Sequence, residues 1–192
     1  CKNDKGGYFI IDGKEKVLVS QEKFADNMLY IRGDYNDIYS HSAEIRSVSE
    51  DSSKPVRTLS IRIMRPSVKY SNNQILVNIP NVRKPVPLFI VMRALGILSD
   101  KEIITYCLLD LEKNSHLIEY FRPSIHDAGN IFNQEVAIKY ISTLTKGKTI
   151  SHTMEILIDY LLPHIGETNF QSKAYLLGYM VNKLLRVCVN EE

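Results

Sequence analysis

The hydrophobic period of this chain changes at Pro80, from two residues to about 3.6, and that change bounds the folds open to it. Before Pro80, Leu59, Ile61 and Ile63 alternate with Thr58, Ser60, Arg62 and Met64, the pattern of a strand with one buried face. Ile75, Val77 and Ile79 repeat it after the loop Pro66 to Asn73, so the two runs are expected to pair as a hairpin. Beyond Pro80, Leu88, Val91, Met92 and Leu95 follow helical spacing from Pro85 and Pro87 up to Gly96, a residue suited to a helix C-terminus. Ser99-Asp100-Lys101-Glu102 then has the form of a capping box, in which the serine hydroxyl accepts a backbone N–H and the glutamate reaches back to the serine amide. It should open a helix with Ile103, Ile104, Cys107, Leu108 and Leu111 as its apolar stripe. Further helices are expected over Ser115 to Arg122 ahead of Pro123, Asn133 to Leu144, Ser151 to Leu162 ahead of Pro163, and Phe170 to Val189. In the last, Ala174, Leu177, Gly178, Val181, Leu184, Leu185 and Cys188 make an apolar face, with Lys173, Asn182, Lys183 and Arg186 expected opposite. Strands in the first half and helices in the second predict an α+β fold: N-terminal antiparallel hairpins and a small sheet followed by a helical half, not a doubly wound sheet.

The opening stretch, GGYFIIDGKEKVLVSQE from Gly6 to Glu22, carries its own signal. Tyr8 to Ile11 and Lys16 to Val19 are β-branched and aromatic runs, and Asp12-Gly13 between them tolerates the positive φ angles of a tight hairpin turn. Asn27 to Arg32 reads as another strand, Ser42 to Val48 as its continuation in a sheet, and Ser49 to Pro55 as a loop.

A chain of 192 residues, 44% hydrophobic and 24% charged, can bury a core without staples and lies far from the disordered class. Cys1, Cys107 and Cys188 are far apart, which suits free thiols in a reducing compartment and offers no CxxC pair for zinc. The longest apolar run, Val86 to Leu98, contains Pro87 and Arg93 and is too short to span a bilayer. Nothing in the first residues has the form of a signal peptide. The chain opens on Cys1 without a methionine and stops at Glu192 just past a helix pattern, so a piece of a longer polypeptide is expected.

Enzyme motifs fail on inspection. Gly147-Lys148-Thr149 has the end of a phosphate loop, but Ser142 stands where that motif needs its first glycine. His41, His116, His126, His152 and His164 show no paired-ligand spacing, and the serines lack a GxSxG elbow. Catalysis by this chain alone is not expected.

Net charge is only +2, but no acidic residue occurs from Ser52 to Ser99, where Lys54, Arg57, Arg62, Arg65, Lys69, Arg83, Lys84 and Arg93 all lie. Arg57, Arg62, Arg65 and Lys69 are therefore candidates for a basic face toward DNA, although alternation puts Arg62 on the other side of its strand from Arg57 and Arg65. Plain solvated surface is the alternative. Arg93, on an apolar helix and followed by Asp100 and Glu102, is expected in a structural ion pair or capping carbonyls.

The opening string closely resembles a segment of the second-largest subunit of multisubunit DNA-dependent RNA polymerases, of the eukaryotic or large-DNA-virus type. The likeness continues at HSAEIRS (His41 to Ser47), IPNVRKPVPLFIVMRALGILSDKEI (Ile79 to Ile103), LLPHIG (Leu161 to Gly166) and KAYLLGYMVNKLL (Lys173 to Leu185), in the family's order and at about its spacing. Met28 to Ser40, Pro66 to Asn73 and Thr145 to His152 match poorly.

The resemblance implies a place: the lobe, a mixed α+β domain (domain 2 of that subunit) beside the DNA cleft, with adjoining protrusion elements. Residues 1–22 would be a protrusion-type hairpin, 23–165 the lobe, and 166–192 a helix returning to the protrusion, so the last helix should bury Leu177, Val181 and Leu184 against the first hairpin. Lys14, Lys16 and Lys23 would then lie near the nucleic-acid path and hold phosphates without reading sequence, or else form a solvated hairpin tip. The implied partners are other polymerase subunits, above all the largest, the DNA template and initiation factors, with no membrane. No cofactor is expected in this stretch, because magnesium and zinc are held elsewhere in such enzymes. A cellular owner implies the nucleus, and a viral one cytoplasmic factories or virions; the divergent loops lean toward a virus. The alternative is a free-standing nucleic-acid or protein adaptor of the same fold.

Overall fold

The computed structural model describes residues 2–66 and 73–190, so the connection that carries Lys69 lies outside the described residues. The first hairpin pairs β1 (Phe9–Ile11) with β2 (Lys14–Lys16), Ile11 standing opposite Lys14. Asp12 and Gly13 form the turn with φ of 52° and 73°, the doubly positive geometry that matches a hairpin's twist. A two-residue turn fixes pairing from Lys14 onward, so the second strand lies earlier than the expected Lys16 to Val19. Every residue from 2 to 28 is exposed.

A five-stranded antiparallel meander follows: β3 (Leu29–Gly33), β4 (Tyr39–Ser47), β5 (Arg57–Met64), β6 (Ile75–Asn78) and β7 (Val86–Pro87), neighbours in space as in sequence. The register sets Ala43 opposite Ile61 and Ile45 opposite Leu59, while Ile61 faces Val77 and Ile63 faces Ile75. All seven are buried, and the alternate residues Glu44, Arg62 and Asn78 sit on the wetter face, as the period of two requires.

The helices cover the apolar face. α1 (Leu88–Ala94) is buried at all seven positions and packs against β6 and β7. α2 (Asp100–Leu108), a 3₁₀ helix (Ser115–Phe121), α3 (Arg122–Ala128), α4 (Gln134–Leu144) and α5 (Ile150–Glu155) follow. α6 (Phe170–Cys188) closes the described chain and lies against α2 and against β3 and β4. Among the described residues no helix is long and apolar enough to cross a membrane. The α+β class, with strands before helices, is what the structure has.

Several local expectations are corrected. Ser99 stands at the start of α2 with extended backbone, but its side chain makes no cap hydrogen bond; the adjoining Asp100 is held by Arg93 instead. Pro123 does not end a helix: it lies in the first turn of α3, where its missing N–H costs nothing. The expected helix to Leu162 is α-helical only to Glu155 and widens into a π turn over Ile156–Tyr160, closed by the Leu161 amide donating to the Ile156 carbonyl at 3.0 Å. Lys173 and Asn182 are not on an exposed polar side of α6 but buried, at 0% and 4% exposure. Leu177, Val181 and Leu184 are buried as expected, but in a helix whose neighbours are α2, β3 and β4 rather than against the exposed first hairpin.

α6 and α2 meet closely. A Cβ built on Gly178 would lie 2.5 Å from the Tyr106 carbonyl oxygen, so only glycine fits, and the rings of Tyr106 and Tyr175 stack at 4.3 Å beside it. Gly178→Ala should therefore destabilise the fold even though alanine favours an isolated helix by about 1 kcal/mol. A urea midpoint at or above that of the wild type would show that the helices can part without loss. Leu184→Ala removes a fully buried side chain and should cost about 2–5 kcal/mol. Chemical denaturation with almost no change would mean that this face of α6 is not part of the core.

Candidate nucleic-acid interface

Among the described residues of the acid-free stretch, Arg57, Arg62 and Arg65 do not share one face. Arg57 begins β5 and lays its guanidinium 3.9 Å above the ring of Tyr160, at the end of the π turn. Arg62 points from the opposite face of the strand, between the rings of Tyr35 and Tyr39 at 4.9 and 5.2 Å, with Glu44 Oε1 at 3.7 Å. Arg65, just past β5, donates from Nε to the Asn36 carbonyl at 2.8 Å and pairs with Asp34 at 2.9 Å. Arg57 and Arg65 stand eight positions apart along this extended run, roughly 26 Å. Lys69 lies outside the described residues. The acids that oppose Arg62 and Arg65 come from the β3–β4 hairpin, not from the acid-free stretch itself.

Lys14 and Lys16 share one face of the first hairpin with Ile11 and Phe9, their cross-strand partners, and all four are exposed. Lys23 is exposed and paired with Asp26 at 2.8 Å. Arg93, by contrast, is 1% exposed; it donates to the Ile131 carbonyl and to Asp100, with the Phe132 ring at 5.2 Å, the structural role its setting predicted.

Sequence reasoning missed a second buried cation. Lys173 Nζ donates to the carbonyls of Leu157 and Ile158 at 2.8 Å each and of Glu167 at 3.2 Å. The first two belong to the π turn, where the chain leaves the helix for Leu162, in left-handed backbone, and Pro163, which has no N–H to offer. The available signal was that proline: a helix halted by it leaves carbonyls that some other donor must reach. Burial holds the Lys173 ammonium down to about pKa 8, against the opposing pull of Asp159 and Glu167. Beside it, the Ser47 hydroxyl and His164 Nδ1 lie 2.6 Å apart, and the His164 amide donates to the same hydroxyl at 3.3 Å. Burial and the Lys173 charge both lower the His164 pKa. Ser47 has no exposed surface, so this pair ties β4 to the turn after the π helix rather than presenting a nucleophile. Among the described residues no group of three or more His, Cys, Asp or Glu side chains could hold a metal ion.

Comparison with known proteins places this arrangement. A family model described as RNA polymerase Rpb2, domain 2, matches residues 34–191. The chain belongs to the Rpb2 domain 2 family. It is 40% identical to the DNA-directed RNA polymerase II subunit RPB2 of Encephalitozoon cuniculi, over 98% of this chain and 17% of that protein. It is 38% identical to the DNA-directed RNA polymerase II subunit 2 of Arabidopsis thaliana, and 31% identical to the subunit Rpo2 of the archaeon Saccharolobus solfataricus, each over 96% of this chain and 16% of the relative. The chain thus spans about one-sixth of the length of these relatives. The Rpb2 domain 2 match takes in β4 to α6 and leaves β1, β2 and β3 outside it.

The depressed pKa of Lys173 has a signed consequence. Between about pH 8 and its ordinary value of 10.5, the unfolded chain holds a proton that the folded chain releases, so this lysine makes stability rise with pH through that window. Below the window, burying the charge works against the fold. Urea denaturation of wild type and Lys173→Met at pH 7 and pH 10 should show the wild type gaining relative to the variant at the higher pH. Parallel behaviour of the two proteins would mean that Lys173 titrates normally in the fold.

Proposed function

We propose that this chain is a non-catalytic structural and binding segment, the lobe, of the second-largest subunit of a DNA-directed RNA polymerase. In this reading it lines the DNA cleft and presents an outer surface to initiation factors, while nucleotide addition is carried out by the assembled enzyme, with magnesium and zinc bound outside this segment. Its partners are the other polymerase subunits, especially the largest, and the DNA template. A polymerase II type is favoured because the 38–40% identical relatives are polymerase II subunits and the archaeal one is 31% identical, and the nucleus is the location that follows.

The observation that carries the reading is the unburied first hairpin ahead of the matched domain. Phe9 and Ile11 are each 54% exposed, Leu18 and Val19 more so. A two-stranded hairpin is marginal by itself in water, and this one offers apolar side chains that a larger body would cover. The rest of the subunit supplies that body in this reading, with Lys14, Lys16 and Lys23 at the edge of the contact and Arg57, Arg62, Arg65 and Lys69 as cations near the cleft.

The test is assembly. Phe9→Asp with Ile11→Asp in the full-length subunit should reduce co-purification of the largest subunit at least several-fold, while Lys101→Gln, on an exposed helical position, should leave it unchanged. Normal assembly of the double variant would remove the hairpin from the docking surface, and failure of the wild-type subunit to enter any polymerase would sink the reading.

A further inference from the structure

With Arg57, Arg62 and Arg65 held by local partners, another group of exposed cations meets elsewhere. Val82 and Thr145 form an isolated antiparallel bridge, and the Arg83 amide donates to the Leu144 carbonyl at 3.0 Å. The bridge joins two segments more than sixty residues apart in sequence and brings Arg83 and Lys84 beside Lys146 and Lys148. Antiparallel pairing at the bridge brings Asn81 and Arg83 alongside Lys146 and Leu144. All four cations are exposed, and among the described residues none of their side chains takes an ion pair or a hydrogen bond.

We infer that these two bridged loops, Asn81–Lys84 and Thr145–Lys148, form a binding site for the phosphate backbone of nucleic acid. The second loop is built rather than merely exposed. Thr145 Oγ1 donates to the Ser142 carbonyl at 2.9 Å and accepts the Lys148 amide at 3.2 Å. A Cβ on Gly147 would come within 3.0 Å of the His152 ring, so the loop folds tightly over that side chain. The acid nearest in sequence to either loop, Glu155, lies beyond the second loop, with its carboxylate 3.4 Å from His152 Nδ1. Like charges gathered on adjoining loops add their fields.

A hollow adjoins the two loops. It measures about 460 Å³, and its lining among the described residues includes Asn81, Lys146, Gly147 and His152. Phosphate oxygens are held by lysine, arginine, asparagine and backbone N–H groups; Asn81 and Lys146 line the hollow, and Arg83, Lys84 and Lys148 stand exposed on the same two loops. Contacts of this kind position a duplex without reading its sequence. The inference rests on the polymerase reading for the source of the nucleic acid, but its residues are distinct from Arg57, Arg62, Arg65 and Lys69.

The test uses the assembled polymerase containing the full-length subunit and a labelled duplex DNA, with binding followed across a salt series. Arg83→Gln, Lys146→Gln and Lys148→Gln are combined in one variant, and Lys101→Gln, Lys113→Gln and Arg122→Gln, which remove the same charge from other exposed positions, in a control. The expected result is a slope of log affinity against log salt that is shallower in the first variant, by about 0.9 for each phosphate it no longer neutralises, and unchanged in the control. Coincident slopes for all three proteins overturn the site. A photo-crosslinking amino acid at position 148 should label the DNA; labelling of a protein subunit alone overturns it in favour of an acidic protein partner. A wild-type complex that transcribes in those cases leaves the polymerase reading standing, whereas a subunit that enters no transcribing complex overturns that reading and the site with it.

Discussion

The approach of α6 to α2 at Gly178 sets the geometry on which the rest depends. With the Tyr106 carbonyl where a Cβ would stand, the two backbones touch, and α6 is held there while its other contacts reach β3 and β4. One nineteen-residue helix therefore joins the helical half to the edge of the sheet. A displacement of even one methyl radius at Gly178 has to be absorbed along both contacts, because close-packed interiors transmit such shifts rather than damp them.

The same helix fixes the end of the chain segment before it. Lys173 lies in the first turns of α6, and its ammonium gathers carbonyls from the π turn and from Glu167. Through that turn the position of α6 is passed to Pro163–Ile165, and through His164 and Ser47 to the end of β4. Arg93 does comparable work on the other side of the core, joining α1 to the start of α2 and to Ile131. The two cations solve burial differently. The Arg93 guanidinium takes a carboxylate partner, whereas the Lys173 ammonium gives its hydrogen bonds to carbonyl oxygens and burial lowers its pKa to about 8. The partial negative charge of three carbonyls offsets part of the lost hydration, and the remainder appears as the depressed pKa.

What was legible in the sequence was whatever depends on near neighbours. Alternation over Leu59, Ile61 and Ile63 identified the buried face of β5, Asp12-Gly13 identified the first turn, and the apolar stripe of α6 identified its core face. The errors share one cause, a partner distant in the chain. Ser99 lost its expected capping role where Asp100 is held by Arg93, and Lys173 left the polar face of α6 because carbonyls fifteen and sixteen residues earlier needed donors. Two of the candidate cations also took partners that the run itself does not contain: Glu44 and Asp34 approach Arg62 and Arg65 once the strands pair.

That redistribution bears on how charge should be read in any mixed fold. A strand alternates its side chains and a sheet brings in neighbours from other segments, so consecutive cations on β5 were sent to opposite faces and to opposite ends, each beside a ring or a carboxylate. Loops impose no alternation. Arg83 and Lys84, on one side of the Val82–Thr145 bridge, and Lys146 and Lys148, on the other, kept their charges outward because a single bridge orders the backbone without supplying acids. A surface field survives folding where the tertiary contact that gathers the cations is made by backbone atoms alone, and that condition is met at the bridged loops and not along β5.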